Sequence, residues 1–267
     1  MAANLSVPTG RRIPLWFKIA FSVFVAVVVP VYWVNWTPLN FLYFCDVALL
    51  LTVPALWLES SYLASMLAIA ITLPQLLWQV DFIVYPLSGF RIHFPLNLAG
   101  YMFDPSEPLF TRCLSSFHFW LPFVLIWLVW RLGYDRRAIW GQIVLALAVL
   151  WLSYLFTTYP TGPAGNVNKV LGPGGDKDPP QTDMHPLAWL GVVMGVWTVG
   201  VYPLTHLALC LTMPRRQAEQ RPGVVPADAE GLFASSRSAT TEERTKGGEG
   251  PLIAGDRKDG IGPAELS

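Results

Sequence analysis

The chain has 267 residues, of which 53% are hydrophobic and only 13% are charged, and its formal net charge is zero. Because nucleic-acid-binding domains carry a basic stripe, this balance gives no support to a nucleic-acid partner. Residues 214–267 hold 8 of the 18 basic and 9 of the 18 acidic residues. The preceding part therefore has too few charges to cover the surface of a soluble domain, and its composition predicts a membrane protein.

Six apolar runs approach or exceed the roughly 20 residues that a helix needs to cross a bilayer. We therefore expect an all-α fold, a polytopic membrane bundle of six transmembrane helices within a domain over 14–212. The segment 1–13 is expected to be a cytoplasmic N-terminus, and the polar, mixed-charge residues 213–267 a disordered cytoplasmic tail. The six spans are predicted at about 14–35, 39–58, 62–83, 113–131, 139–159 and 187–212.

The basic residues predict the orientation, because cytoplasmic loops carry an excess of Lys and Arg. With both termini inside, the cytoplasmic side receives Arg11, Arg12, Arg131, Arg136, Arg137, Arg215 and Arg216. The opposite side receives only Arg91, Arg112, Lys169 and Lys177. Short connections and the lack of a targeting signal favour a bacterial cytoplasmic (inner) membrane, whose lipids are the expected partners; the oligomeric state is left open.

The connections on the outer side are long. Residues 84–112 contain four prolines, and their middle part, 92–102, is apolar enough to lie in the membrane interface. Residues 160–186 are too rich in Gly and Pro to form a helix. The cysteines, which all lie in or beside apolar runs, are interpreted as small buried side chains rather than a disulfide framework: Cys45, Cys113 and Cys210.

The most informative polar residue is Asp46, which lies inside a predicted span beside Cys45. An acid at such a depth costs about 2.5–3.5 kcal/mol on insertion scales and usually faces a bundle interior or a wet cavity. His118 enters the membrane from the same side to a similar depth, roughly 9–10 Å at 1.5 Å per residue. We therefore expect Cys45, Asp46 and His118 to lie in one layer in the outer half of the bilayer.

Three interpretations of this layer stay open. His118 can act as the base for a Cys45 nucleophile, with Asp46 as a supporting charge. Alternatively, Asp46 forms an ion pair with His118 or Arg112, or is the protonatable gate of a transporter-like protein. In the third interpretation these residues are structural, and the chain is a non-catalytic membrane scaffold. The histidines show no paired spacing, so no metal is expected, and no cofactor is expected either.

Three stretches resemble known membrane-protein families. Phe41-Leu-Tyr-Phe-Cys-Asp46 resembles the proline-led Leu-His-Leu-Cys-Asp element of the bacterial YwaF-like six-helix integral membrane proteins. Ser116-Phe-His-Phe-Trp-Leu-Pro-Phe-Val-Leu-Ile126 resembles the His-x-x-x-Pro-Phe-x-Leu-Ile stretch of the androgen-induced and androgen-dependent TFPI-regulating intramembrane hydrolases. Asn166-Val-Asn168 is similar to an Asn-containing loop after span five in the bacterial group. The resemblance covers roughly residues 36–210.

This resemblance implies a chemistry as well as a six-span fold. The hydrolases are thought to use a Thr nucleophile and a His, and a related group of acyltransferases is thought to use Cys and His. In this chain the His corresponds to His118, Tyr43 stands near the Thr position, and the Cys corresponds to Cys45. The implied function is a lipid-acyl hydrolase or acyltransferase in which Cys45 attacks an ester carbonyl and His118 transfers the proton.

Overall fold

The structure, a computed structural model, describes residues 13–94, 97–157, 165–175 and 178–214. These residues form helices joined by turns and loops, and no strand element occurs among them, which confirms the predicted all-α class for this part of the chain. The predicted N-terminal segment 1–13 and the tail 213–267 lie outside the described residues, apart from Ile13, Met213 and Pro214.

Eight α-helices follow one another in the described part of the chain. The first four are α1 Leu15–Trp36, α2 Phe44–Trp57, α3 Ser61–Leu87 and α4 Leu109–Leu114. The other four are α5 Phe117–Leu132, α6 Ala138–Phe156, α7 Pro186–Gly195 and α8 Tyr202–Thr212. A π-helical segment, Val196–Val201, joins α7 to α8, and short 3₁₀ helices lie at Pro38–Leu42, Gly100–Phe103 and Val167–Lys169.

Among the described residues, five helical stretches are long and apolar enough to cross a membrane: α1, α3, α4 with α5, α6, and α7 with α8. The run predicted at 39–58 differs from the expected continuous helix. It begins as the 3₁₀ helix Pro38–Leu42, becomes extended at Tyr43 (φ −61°, ψ 137°), and continues as the 14-residue α2. This break places the N-terminus of α2, rather than its middle, next to Cys45 and Asp46.

Helix α3 is the centre of the bundle and packs against α2, α5, α6 and α8. Its first half buries the small residues Ala64, Ala68 and Ala70, which allow neighbouring helices to approach closely. Helix α6 packs against α3 at Gly141, where an added methyl group would overlap the Tyr62 hydroxyl. The missing side chain of Gly141 therefore makes room for the Tyr62 ring.

The surface around the helices is apolar. Val34, Val199 and Leu211 are among the most exposed side chains, at 82%, 78% and 77%. Soluble monomers seldom expose large contiguous apolar patches, whereas lipid tails solvate such side chains well. The exposed faces thus agree with the hydropathy of the helices.

The two ends of the bundle have different chemistry. We call the end with the turns at 58–60 and 133–137 the arginine end, because Arg131, Arg136 and Arg137 lie there. Gly133, at a φ of 84° that glycine adopts without strain, terminates α5, and the Ser65 hydroxyl then accepts the Asp135 N–H. We call the opposite end, with the described residues of 88–108 and 165–185, the loop end.

Candidate functional site

Asp46 lies in the first turn of α2 at the loop end and is only 3% exposed. Its Oδ2 accepts a hydrogen bond from the Asn40 side chain at 3.1 Å and lies 3.8 Å from the Cys45 Sγ. Its Oδ1 is buried and has no hydrogen-bond partner among the described residues. No Lys, Arg or His side chain in that part of the chain forms an ion pair with this carboxyl group. Asp46 therefore lacks a compensating protein charge.

The 3₁₀ helix Gly100–Phe103 at the loop end carries Tyr101, which interacts with Cys45 and Asp46. Burial raises the pKa of its Tyr101 well above the ordinary value, and the nearby Cys45 and Asp46 raise it further, while a hydrogen bond with Ser115 opposes the shift. Tyr101 is therefore near enough to interact electrostatically with the thiol and the carboxyl group. Its 3₁₀ helix, in a segment that the sequence predicted only to be apolar, belongs to the surroundings of the site, and we call it the roof.

Ser115 links the site by hydrogen bonds to Tyr32 in the core and to Thr111 in α4. Its Oγ lies 2.7 Å from the Tyr32 hydroxyl, deep in the core, and donates to the Thr111 carbonyl at 3.2 Å. This serine stands in the turn between α4 and α5, so the interruption of the predicted fourth span carries polar contacts. Sequence reasoning did not single out Tyr32 or Tyr101, because nothing in their local sequence marks them as part of a site.

His118 is held on the other side of Ser115. Its Nδ1 donates to the Ser115 carbonyl at 2.8 Å, so Nε2 carries the lone pair in the neutral ring. The ring stacks on Trp78 and Phe117 with centroid distances of 4.8 and 4.2 Å. Neither Cys45 nor Asp46 is among its hydrogen-bond partners. The structure therefore joins Cys45 to Asp46 directly but does not join either of them to His118.

The backbone carbonyl of His118 lacks a donor within its own helix and is satisfied by a side chain of α3. Pro122 has no N–H, so the His118 carbonyl loses its normal helical donor four residues later. The side chain of Gln79 on α3 donates to this carbonyl at 3.0 Å and to the Phe119 carbonyl at 3.2 Å. Gln79 thus satisfies the acceptor that the proline exposes and locks α3 against α5.

Asp81 anchors the loop that carries Tyr101. This fully buried carboxyl group accepts from His93 Nδ1 at 3.1 Å and from the Phe94 N–H at 3.0 Å. Its second oxygen accepts from the Leu98 and Ala99 N–H groups at 2.9 and 2.8 Å. All four donors belong to the loop that follows α3. Asp81 therefore has a structural role at the edge of the site, unlike Asp46.

Asn168 fixes the start of α2 from the opposite side. Its side chain donates to the Leu42 carbonyl at 2.7 Å and accepts from the Phe44 N–H at 3.3 Å. Asn168 has a φ of 54°, a left-handed conformation that asparagine tolerates better than most residues. This one residue bridges the break between the 3₁₀ helix and α2, and so helps to position Cys45 and Asp46.

A row of buried polar atoms extends from this site along α3 toward the arginine end. Trp78 Nε1 lies at the site, and both amide atoms of Gln75 and Thr72 Oγ1 are buried without hydrogen-bond partners among the described residues. Gln142 on α6 and the Tyr202 hydroxyl on α8, which hydrogen bond to each other, are further buried polar groups. Buried polar groups normally bond to protein or to ordered water. The interior along α3 is therefore polar enough to hold water molecules.

The other two cysteines differ from their expected burial. Cys113 is exposed on the six-residue α4, and Cys210 is half-buried on α8. Within the described ranges, no cluster of three or more His, Cys, Asp or Glu side chains offers a metal-binding set. Comparison of the chain with protein-family models, curated proteins and solved structures finds no match in any of the three.

Proposed function

We propose that six helical segments of this chain cross a membrane, with both termini on the cytoplasmic side. Five segments meet the length and hydropathy required. The sixth adds about 10 Å of 3₁₀ helix over Pro38–Leu42 to about 21 Å of α-helix over Phe44–Trp57, which matches the roughly 30 Å hydrocarbon core. The arginine end is then cytoplasmic, and a bacterial inner membrane fits the family resemblance.

We propose that the protein is transporter-like and that Asp46 binds and releases a proton as part of the transport cycle. The observation that carries this proposal is the Asp46 carboxyl group, which is 3% exposed and has one oxygen without a donor and no paired cation among the described residues. A charged carboxylate in such surroundings is strongly disfavoured. Uptake of a proton, or binding of a cationic group, removes that penalty.

The row of polar atoms along α3 supports the same proposal. Trp78, Gln75 and Thr72 follow one another at three-residue intervals, so they lie near one side of the helix. Each interval advances about 4.5 Å along the helix axis. Together with Tyr202 on α8, they extend the polar interior from the Asp46 region toward the arginine end. Water molecules along this row would give protons a route through the bundle.

Proteoliposomes containing the full chain and an internal pH-sensitive dye test this function. Under an imposed membrane potential, we expect proton entry to be faster than in protein-free vesicles and to fall to their level in Asp46→Asn. Asp183→Asn removes the same charge from an exposed position and should behave like the wild type. Equal rates for the wild type and Asp46→Asn, or for the wild type and empty vesicles, would reject the proposal.

A second candidate is the lipid-acyl hydrolase or acyltransferase that the family resemblance implies. The observation in its favour is that Tyr101 interacts electrostatically with Cys45 and hydrogen bonds with Ser115, whose carbonyl accepts from His118. The thiol and the imidazole thus share neighbours around Ser115. Side-chain rotation would have to bring Nε2 of His118 to the thiol before Cys45 attacks an ester carbonyl.

Activity-based labelling separates the two candidates. If Cys45 is an acyl nucleophile, a lipid-like hydrolase probe should label the wild type but not Cys45→Ala, and His118→Ala should be labelled much more slowly. Proton entry should then survive in Cys45→Ser. Equal labelling of the wild type and Cys45→Ala would eliminate the acyl mechanism without affecting the transport proposal.

A further inference from the structure

A second thiol lies in direct contact with an imidazole at the arginine end. His206 and Cys210 are four residues apart on α8, and therefore on one face, with 3.5 Å between His206 Nε2 and the Cys210 Sγ. The other ring nitrogen, Nδ1, lies 2.6 Å from the Tyr134 hydroxyl. The histidine is thus held between a phenol and a thiol. This is the arrangement of a nucleophile, a base and a group that orients the base.

The contact between Tyr134 and His206 depends on the turn after α5, on α8 and on the residue Pro214 beyond the end of α8. Tyr134 belongs to the turn between α5 and α6, and its N–H donates to the Pro214 carbonyl at 2.7 Å, beyond the end of α8. Burial raises the pKa of Tyr134 above its ordinary value, and Cys210 raises it further, while Arg136 opposes the shift. Tyr134 therefore stays a phenol at neutral pH, and its oxygen can accept the Nδ1–H of His206. In that tautomer Nε2, which faces the thiol, carries the lone pair.

We propose that Cys210, His206 and Tyr134 form an activated thiol site that accepts an acyl group from a long-chain acyl thioester. His206 Nε2 takes the thiol proton, and the Cys210 sulfur attacks the thioester carbonyl carbon. A new sulfur–carbon bond forms as the bond to the carrier sulfur breaks. The carrier thiolate then takes the proton from His206, so the products are S-acylated Cys210 and a free carrier thiol, with no change in oxidation state.

The surroundings of Cys210 match such a donor. The thiol is half-buried, and its neighbours Leu207 and Leu211 are 55% and 77% exposed on the apolar surface. An acyl chain attached to Cys210 would therefore lie in lipid beside α8. Arg136 is exposed close by and forms no ion pair within the described residues. Its guanidinium suits the phosphate groups of a nucleotide-bearing carrier.

Cys113 serves as an internal comparison for the reactivity of Cys210. Cys113 is more exposed than Cys210, and no histidine is among its hydrogen-bond partners in the described part of the chain. Cys45 is half-buried and hydrogen bonds to a carboxyl group instead of an imidazole. If exposure alone controlled acylation, Cys113 would react first. If the imidazole controls it, Cys210 reacts first.

The test uses the purified full chain in nanodiscs with palmitoyl-coenzyme A as the acyl donor. Mass spectrometry of the intact protein and of its peptides measures the rate at each cysteine, and hydroxylamine release identifies a thioester. We expect Cys210 to react about 100-fold faster than Cys113, the lower range for a positioned general base. His206→Ala should reduce the Cys210 rate to that of Cys113. Similar rates at Cys210 and Cys113 in the wild type would overturn the proposal.

Tyr134→Phe provides a variant that keeps the ring in place. Removal of the hydroxyl frees His206 to turn, so the Cys210 rate should fall and its pH profile should shift toward that of an isolated thiol. Cys210→Ser should lose the fast thioester formation and leave only the slow reaction of Cys113. A normal rate and pH profile in Tyr134→Phe would remove Tyr134 from the site, and acylation confined to Cys45 or Cys113 would refute the assignment of Cys210.

Discussion

Replacement of Asp81 by Asn is expected to release the loop that carries Tyr101. The carboxyl group is fully buried and accepts hydrogen bonds from four loop donors. An amide keeps one oxygen but presents an NH₂ group in place of the other. Neutral His93 can change tautomer and accept from that NH₂, so the amide should turn it toward His93 and Phe94.

The size of the effect follows from these contacts. In Asp81→Asn the Phe94 N–H loses its acceptor, which costs about 1–3 kcal/mol for a buried donor. The bonds from Leu98 and Ala99 now reach a neutral oxygen instead of a charged one, and each weakens by about 1 kcal/mol. The sum, about 3–5 kcal/mol, corresponds to an increase in loop opening on the order of 100- to 4,000-fold.

Hydrogen–deuterium exchange in nanodiscs measures this opening directly. We expect faster exchange at the amides of Phe94, Leu98 and Ala99, with the amides of α3 and α5 unchanged, because the effect is local. Cys45 should also react faster with a water-soluble maleimide. Asp183→Asn is the control for loss of one charge. Unchanged exchange at Leu98 and Ala99 in Asp81→Asn would refute the view that this carboxyl group holds the roof in place.

Two further substitutions test the packing of α3. Gly141→Ala forces a methyl group against the Tyr62 hydroxyl, and such overpacking should lower stability by about 1–3 kcal/mol, measured as a lower unfolding temperature. Gln79→Leu leaves the His118 carbonyl without its donor and should cost about 1–3 kcal/mol. Adding Pro122→Ala supplies a helical N–H to that carbonyl, so a double-mutant cycle should show part of the loss restored.

Each of these two substitutions can be compared with a control variant of the same chain. Gly191→Ala adds the same methyl group where no atom lies within 4 Å, and it should leave the unfolding temperature unchanged or slightly higher. Equal losses for Gly141→Ala and Gly191→Ala would mean that the Tyr62 contact is not limiting. Strict additivity of Gln79→Leu and Pro122→Ala would show that the two residues do not share an acceptor.

Hydropathy predicted the helical class, and the reasons for its success and its limits are visible at α2. The apolar run at 39–58 carries no local signal for a break at Tyr43. The break is stabilised by Asn168, more than 120 positions away, which bonds to Leu42 and Phe44 across it. A contact at that separation leaves no mark in the local pattern. The turn at Ser115, between α4 and α5, likewise has a distant partner, Tyr32 of α1.

The candidate site shows a second limit of prediction from the sequence. Counting residues from a predicted span end gives depth, but it does not give rotation about the helix axis, which changes by about 100° with each residue. Cys45 and Asp46 were predicted to share a site with His118, yet the imidazole is held by Ser115 and Trp78. Direct contact of Cys45 with His118 is therefore not seen, and the shared chemistry of the three residues stays a prediction.

The pairing of Cys210 with His206 could have been predicted from the sequence, but Cys210 was interpreted only as a packed side chain. His206 and Cys210 have the four-residue spacing that places two side chains on one helix face. Treating every cysteine in an apolar run as packing obscured that pair. The role of Tyr134 was not accessible, because only the turn after α5 brings its hydroxyl to His206.

The central position of α3 has a consequence for biogenesis. Gln75 and Asp81 are buried by helices and loops that are synthesised later, since α3 packs against α5, α6 and α8 as well as α2. A nascent chain that has released only α1–α3 would expose both polar side chains to lipid, at a cost of a few kcal/mol for the acid alone. Helix α3 therefore gains much of its burial only once α5, α6 and α8 have been synthesised.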